Sequence, residues 1–361
     1  MRQFAPMMAL AALLLGPGLP AHAQTTATDN PPLRHVRVLA TGGTIAGSGS
    51  ANSASYRSGM VTVAGLIAAL PGIDAVARVS GEQIANIPSG DMDETIWRKL
   101  HARVLAGFAD PDVAGIVITH GTDTLEETAF LLSLLLPPIK PVVLVGSMRP
   151  STAVSADGPQ NMIDAIRVAS APAAAGRGVM VVMNDTIFDP RSVTKTDVHR
   201  IEAFAAPGRG PIGEVLQPLP RFFAPIQPQP DLLALGEAKL PRIAVVYVYA
   251  GLTADDVRNT ARDAAGVIMA GVGAGGLSTS ARQAVRELAA RGIPVVRSAR
   301  QGFGDIWRSD AQSGPDNDDR VGTIAGRELT PAKARILLML ALQQPRTSAQ
   351  LQAMFDRAGA N

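Results

Sequence analysis

The stretch VRVLATGGTIAG, residues 36–47, opens with an apolar run from Val36 to Ala40 and breaks at once into paired glycines. A strand ending in Thr41-Gly42-Gly43-Thr44 turns sharply, because glycine enters left-handed backbone without a Cβ penalty and lets a ligand come close. Working outward, the same kind of run recurs at Ala114 to Thr119, Pro141 to Val145, Val179 to Met183, Ile243 to Tyr249, Gly266 to Ala270 and Pro294 to Arg297. Helical patterns such as Glu126 to Leu136 and Gln160 to Ala169 lie between them. Strands alternating with helices predict an α/β fold built on a mostly parallel sheet with flanking crossover helices. The rhythm fails between Pro218 and Pro241, where Pro220, Pro225, Pro228 and Pro230 also crowd the chain and exclude a regular helix or central strand. A linker over 218–241 therefore separates a large N-terminal domain, 34–217, from a smaller C-terminal α/β domain, 242–361. The C-terminal domain closes on a helix with Thr330 as cap, Pro331 at its first position and an apolar face over Ala332 to Gln343.

The chain has 361 residues, 47% hydrophobic and 18% charged, which excludes collagen, coiled coil and global disorder. Lys+Arg 33 against Asp+Glu 31 gives a net charge of +2, too near balance for a nucleic-acid-binding face. With no cysteine there is neither a disulfide nor a thiolate nucleophile, and five histidines leave few candidates for His chemistry. No HExxH, EF-hand loop or carboxylate cluster calls for a metal, and no cofactor is expected. At the N-terminus Arg2, the apolar run Met7 to Leu15 and Ala21-His22-Ala23 read as a signal peptide over 1–23, cleaved before Gln24. That apolar run is less than half of the ~20 residues a membrane span needs. The mature protein is thus expected to be periplasmic or secreted, with no membrane contact after cleavage.

Three segments follow strand ends, where open parallel sheets bind their ligands. The Gly-rich loop around Thr44 is either a plain turn or a ligand loop presenting a hydroxyl; it has no lysine after its glycines and so is no phosphate loop. In Thr119-His120-Gly121-Thr122-Asp123-Thr124-Leu125-Glu126-Glu127, Asp123 and Glu126 have capping-box spacing, while the free N–H groups of the same helix start could steady an oxyanion. His120 beside Thr122 suggests a His-based triad, although neighbouring side chains leaving a strand usually point apart. Lys195, in a polar and β-branched surround, is either a solvated surface lysine or a desolvated base. A fourth glycine pattern, Gly271, Gly273 and Gly276, has dinucleotide spacing, but Arg297 stands where an acidic ribose ligand belongs and the remaining chain is too short for a nucleotide domain.

Taken together, ATGGTIAG at Ala40 to Gly47 and THGTDTLEET at Thr119 to Thr128, with VGSMRPSTAVSADGPQN from Val145 and VMNDTIFDPRSVTKT from Val182, resemble the bacterial type II L-asparaginases and glutaminase-asparaginases. The resemblance runs from about Val36 to the C-terminal helix. It implies a left-handed crossover in the large domain and a homotetramer with active sites between subunits. It also implies that Thr44 is the nucleophile and Tyr56 its partner, with Thr122, Asp123 and Lys195 as further catalytic residues. Ser89 is implied to hold the substrate α-carboxylate, Asp123 the α-ammonium, and Ser147 to offer its backbone carbonyl to the amide. Three positions depart from the family pattern. Gly90 follows the binding serine where Gln or Glu is common, Gly276 replaces an asparagine or serine, and the spacing within Asp305 to Asp319 is altered, so the acidic residue crossing the subunit boundary has no assigned position.

The expected activity is hydrolysis of the side-chain amide of L-asparagine to L-aspartate and ammonia, with L-glutamine as a second substrate. A threonine hydroxyl attacks an amide only with a neighbouring base and a polarised carbonyl, which fits the grouping of Thr44, Thr122 and Lys195. A glutamine-deamidating subunit of a transfer-RNA amidotransferase would need the cytoplasm and an added N-terminal domain. The non-enzymatic alternative is a periplasmic amino-acid-binding protein; release of ammonia separates the two.

Overall fold

The computed structural model describes residues 32–49, 56–216, 218–227, 232–314 and 316–359. The leader expected over 1–23 and the start at Gln24 lie outside the described residues. From Leu33 onward the chain forms one compact unit. Among the described residues no helix is long and apolar enough to cross a membrane.

In chain order the first part of this unit contains β1 (His35–Gly42), β2 (Ser48–Gly49), β3 (Tyr56–Arg57), α1 (Val63–Ala68), β4 (Arg78–Ile87), α2 (Glu94–Ala109), β5 (Val113–Thr119), α3 (Leu125–Leu135), β6 (Val142–Val145), α4 (Gly158–Ser170) and β7 (Val179–Met183). There follow β8 (Thr186–Phe188), β9 (Thr194–Lys195), β10 (Phe204–Ala205), β11 (Gly213–Leu216) and β12 (Leu219–Phe222). The second part has β13 (Ile243–Tyr247), α5 (Ala254–Thr260), β14 (Gly266–Gly271), α6 (Thr279–Ala290), β15 (Val295–Ala299), α7 (Asp318–Val321), β16 (Thr323–Ala325), α8 (Pro331–Ala341) and α9 (Ser348–Gly359).

Eight strands make one sheet in the order β12-β11-β8-β7-β6-β5-β1-β4. From β4 through β7 the neighbours run parallel, and β8, β11 and β12 continue antiparallel. A second sheet, β13-β14-β15-β16, is parallel throughout. The fold is thus the expected α/β arrangement of a large, mostly parallel N-terminal sheet with helices and a smaller C-terminal unit.

Alternation along the strands builds two cores, since successive side chains point to opposite faces. Val117, Val143, Val145, Met180 and Val182 face α4 on one side, while Ile116, Ile118, Leu144 and Val181 face α2 and α3 on the other. The second of these cores does not stop at the large sheet. Through Ile336, Leu337 and Leu340 of α8 it continues to Ile243, Ile268 and Val296 of the small sheet, so both lobes share it. Truncating one such fully buried leucine, for example Leu340→Ala, costs about 2–5 kcal/mol.

Two expectations need correction. The Pro-rich stretch 218–241 does not begin as linker, because Leu219–Phe222 pairs with β11 as the outermost strand. Pro220 is tolerated there because an edge strand has one side that donates to no neighbour. The sheet also gains β4, a strand absent from the sequence reading, since Arg78, Glu82 and Gln83 interrupt the apolar pattern. The C-terminal helix starts as expected, with Thr330 Oγ1 accepting the Lys333 N–H and Pro331 in the first turn.

Candidate active site

The strand order reverses at β1, which has β4 on one side and β5, β6 and β7 on the other. Such a switch point leaves a crevice beyond the C-terminal ends of the strands, here between β1 and β5. Both signature loops emerge there. Thr41 ties them together, its hydroxyl donating to the Thr119 carbonyl at 2.8 Å.

Glycine decides how closely these loops approach. Gly43 has φ +78°, and a Cβ on it would sit 2.4 Å from both Cα and N of Gly121. On Gly121 a Cβ would meet Ser89 Oγ at 2.7 Å, and on Gly146 it would meet the His120 carbonyl oxygen at 2.8 Å and Thr122 Cγ2 at 3.0 Å. Backbone contact therefore draws the Thr44 turn, the Thr122 loop, the Ser89 turn and the Ser147 loop around one point. Further bonds lock these pieces. Thr124 Oγ1 donates to the Ser89 carbonyl at 2.7 Å, the Asp157 carboxylate accepts the N–H groups of Met148 and Arg149 at 2.9 Å each, and Asn161 Nδ2 donates to the Gly146 carbonyl at 3.0 Å.

Thr44, Ser89, Thr122 and Ser147 are all buried. Thr44 opens a short 3-10 turn, Thr44–Ala46. Ser147 Oγ donates to the Arg149 carbonyl at 2.8 Å. Lys195 comes from β9, far along the chain, and its Nζ donates to Thr122 Oγ1 at 2.9 Å and to Asp123 Oδ1 at 2.7 Å. The Lys195 side chain is 17% exposed and that of Asp123 is 75% exposed. The lysine thus lies inside the crevice and the carboxylate at its rim, which corrects the solvated-surface alternative for Lys195. Tyr56 is placed by backbone pairing with Gly49. Gly90 is exposed, and a Cβ there would touch nothing within 4 Å.

The two other readings of the second loop fail on geometry. Thr124, not Asp123, precedes α3, and no side chain caps that helix. Glu126, the other half of the expected capping box, turns instead to accept the backbone N–H of Lys195 at 3.1 Å. His120 serves no triad. Its Nδ1–H donates to the Gly121 carbonyl at 2.7 Å, and its Nε2 accepts from Thr128, which itself accepts from Trp97 Nε1–H at 2.9 Å. Full burial lowers its pKa to about 4, so the ring is a neutral structural strut beneath Gly121.

The C-terminal glycines also have a packing reason. Val272 and Gly276 exchange backbone bonds across a tight turn, Gly273 and Gly275 have positive φ, and a Cβ on Gly271 would lie 2.4 Å from the Gly275 carbonyl carbon. Within Asp305 to Asp319 each described aspartate has a partner in its own chain. Asp305 pairs with Arg327, Asp316 with Arg282 and Arg286, Asp318 with Arg297, and Asp319 with Arg308, while Asp310 caps a 3-10 turn.

The arrangement agrees with comparison against known proteins. A family model described as Asparaginase, N-terminal matches residues 35–225, and one described as Glutaminase/Asparaginase C-terminal domain matches residues 242–355. The chain belongs to the asparaginase family. Among curated members, L-asparaginase 2 of Escherichia coli (strain K12) is 40% identical over 98% of this chain and 99% of its own. The glutaminase-asparaginase of Pseudomonas fluorescens biotype A is 39% identical over 96% of each chain. A crystal structure titled "Probable Cytoplasmic L-asparaginase from Campylobacter jejuni" superposes with a TM-score of 0.83 at 36% identity, covering 90% of this chain and 99% of that one. In this asparaginase-family chain, sequence reasoning missed the parts played by Glu126, Thr124, Asp157 and Asn161. Only Glu126 left a signal, an acidic residue at a helix start whose cap partner proves to be absent.

Proposed function

We propose that this chain is an amidohydrolase that converts L-asparagine to L-aspartate and ammonia, with L-glutamine as a second substrate. The observation that carries the proposal is the contact of Lys195 with Thr122 and Asp123 in the crevice that also holds Thr44. Thr44 Oγ adds to the side-chain carbonyl carbon while its proton passes to the Thr122 and Lys195 pair or to Tyr56. Collapse of the tetrahedral adduct breaks the C–N bond, and ammonia leaves with a proton. Water then adds to the Thr44 ester, its proton passing to the Thr122 and Lys195 pair and from there to the Thr44 oxygen, and aspartate leaves as the Thr44 hydroxyl re-forms.

In this reading Ser89 and Asp123 hold the α-carboxylate and α-ammonium, next to Gly90, and the Ser147 carbonyl faces the amide. A carboxylate has two oxygens, so Asp123 can serve both Lys195 and a substrate ammonium. An N-terminal domain that takes in β12 and a C-terminal domain over 242–361 belong to the same proposal, as do export after cleavage at Ala23 and assembly into a homotetramer. The exposed side chains of Val245, Tyr247 and Tyr249 support assembly.

The test is ammonia release from asparagine and glutamine by purified protein, with Thr44→Ala and Lys195→Met as variants. Each variant should lose several orders of magnitude in turnover while staying folded, because members of one catalytic unit cannot act alone. Binding of asparagine without ammonia release would favour the amino-acid-binding alternative. Thr44→Ala with more than about a tenth of wild-type turnover would move the nucleophile elsewhere.

A further inference from the structure

Lys333 lies near the start of α8, in the lobe that supplies none of the residues assigned to chemistry, and it has no exposed surface. Its neighbours on that helix, Ala334, Ile336 and Leu337, are core residues. An ammonium in such a place has lost its hydration, which is costly unless fixed partners replace it. The partners are the carbonyl oxygens of Arg191, at 2.9 Å, and Val193, both accepting from Nζ. These two carbonyls belong to the segment that runs into β9. Burial lowers the Lys333 pKa to about 8, with Glu126 and Asp189 opposing the shift.

β9 and β10 have two residues each, and a ribbon that short does not hold its own position in water. Its position comes from both flanks. Lys333 takes the carbonyls before Lys195, and Glu126 Oε2 accepts the Lys195 N–H itself. Two residues along α8, Arg335 reaches Glu127 at 2.9 Å and ties the helix to the first turn of α3, which follows the loop that carries Thr122 and Asp123. One helix of the small lobe thus braces both halves of the Lys195 and Thr122 contact.

We propose that Lys333 is a positioning residue for Lys195, acting with Glu126 through the Arg191 to Lys195 backbone to keep the Lys195 amine on Thr122. This rests on the reading of Lys195 and Thr122 as catalytic. Methionine at 333 fills the same space and offers no donor, so Lys333→Met frees the two carbonyls and lets the segment relax. Glu126→Ala releases the other flank from a half-buried helix position, so it folds even if Lys333→Met does not.

The experiment is steady-state ammonia release from asparagine, with folded enzyme quantified by near-ultraviolet circular dichroism. Each single variant should lower kcat at least about tenfold with KM held within about twofold, as expected when an interaction made in the transition state is lost. Their double variant should lose little more than the worse single, because both act through one segment. On a Lys195→Met background, Lys333→Met should cost nothing further. A residue that merely stiffens the lobe junction would lower the melting temperature and leave the kcat of folded enzyme alone. Wild-type kcat in folded Lys333→Met, or in Glu126→Ala where only that variant folds, overturns the inference. So does an undiminished further loss on the Lys195→Met background. By contrast, an active Lys195→Met enzyme overturns the catalytic reading beneath it, so the two failures are told apart.

Discussion

Replacing Gly43 by alanine tests whether backbone contact between the two signature loops sets the catalytic geometry. The new Cβ would lie 2.4 Å from both Cα and N of Gly121, and both are backbone atoms that no rotamer change can move aside. To reach even a 3.0 Å separation the loops must part by about 0.6 Å, and ordinary contact near 3.4 Å needs about 1 Å. Thr44 follows Gly43 directly and Thr122 follows Gly121, so that opening is passed to the two hydroxyls. A displacement of ~1 Å in a catalytic group can cost about 10²-fold in rate. Alanine at φ +78° and ψ −174°, a region nearly reserved for glycine, adds about 1–3 kcal/mol of backbone strain to the folded state. Gly314→Ala separates the two effects, because Gly314 shares the extended positive-φ backbone of Gly43, with φ +105° and ψ −177° against +78° and −174°, and has nothing within 4 Å of its Cβ. We expect Gly43→Ala to lower kcat for asparagine by about 10–100-fold, and Gly314→Ala to lose a similar strain energy in urea unfolding with kcat unchanged. Folded Gly43→Ala enzyme with more than about half of the wild-type kcat would refute the reasoning.

Gly90→Gln should lower KM for asparagine about three- to tenfold with little change in kcat, since a contact to the α-ammonium serves ground and transition states alike and the exposed position discounts a charge-assisted bond. An unchanged KM in the folded variant would show that some other residue already fills that corner, although nothing lies within 4 Å of a Cβ at position 90. The His120 ring should titrate near pH 4 when followed by NMR, its signal assigned with a His120→Gln variant, and a midpoint at 6.5 or above would contradict its burial. The sign of its contribution follows from that value. Between about pH 6.5 and 4 the unfolded chain binds a proton that the folded ring refuses, so this contribution is complete above pH 6.5 and is lost on acidification, by up to about 3 kcal/mol.

The central strands were legible because a fully buried parallel strand needs an uninterrupted apolar run, and Val179–Met183 ends where its residues said it would. β4 was not legible. One of its sides is bonded to β1 and the other is an edge, which tolerates Arg78 and Glu82 and so breaks the pattern. The helix over residues 125–135 was found, but its start was assigned to the wrong cap. Local spacing favoured Asp123, whereas the carboxylate is drawn outward by Lys195 from 72 positions away. No periodicity carries a contact of that separation, and only the family resemblance brought Lys195 to Thr122 beforehand. Lys333 shows the same limit from the other side. Within an apolar helix it looks like an ordinary solvated lysine until the lobe junction is assembled around it.

The continuity of α8 with both lobes has a consequence for the order in which this protein comes into being. Chains are synthesised from the N-terminus, and the N-terminal domain generally folds first. Residues 35–225 contain both signature loops and every strand of the large sheet. Yet the helix whose lysine and arginine grip the Lys195 segment and the foot of α3 lies more than a hundred residues further along the chain. A nascent chain, or one truncated ahead of Pro331, therefore carries every group proposed for the chemistry and still lacks the piece that steadies them. The large lobe alone thus holds the reacting groups without the helix that steadies them.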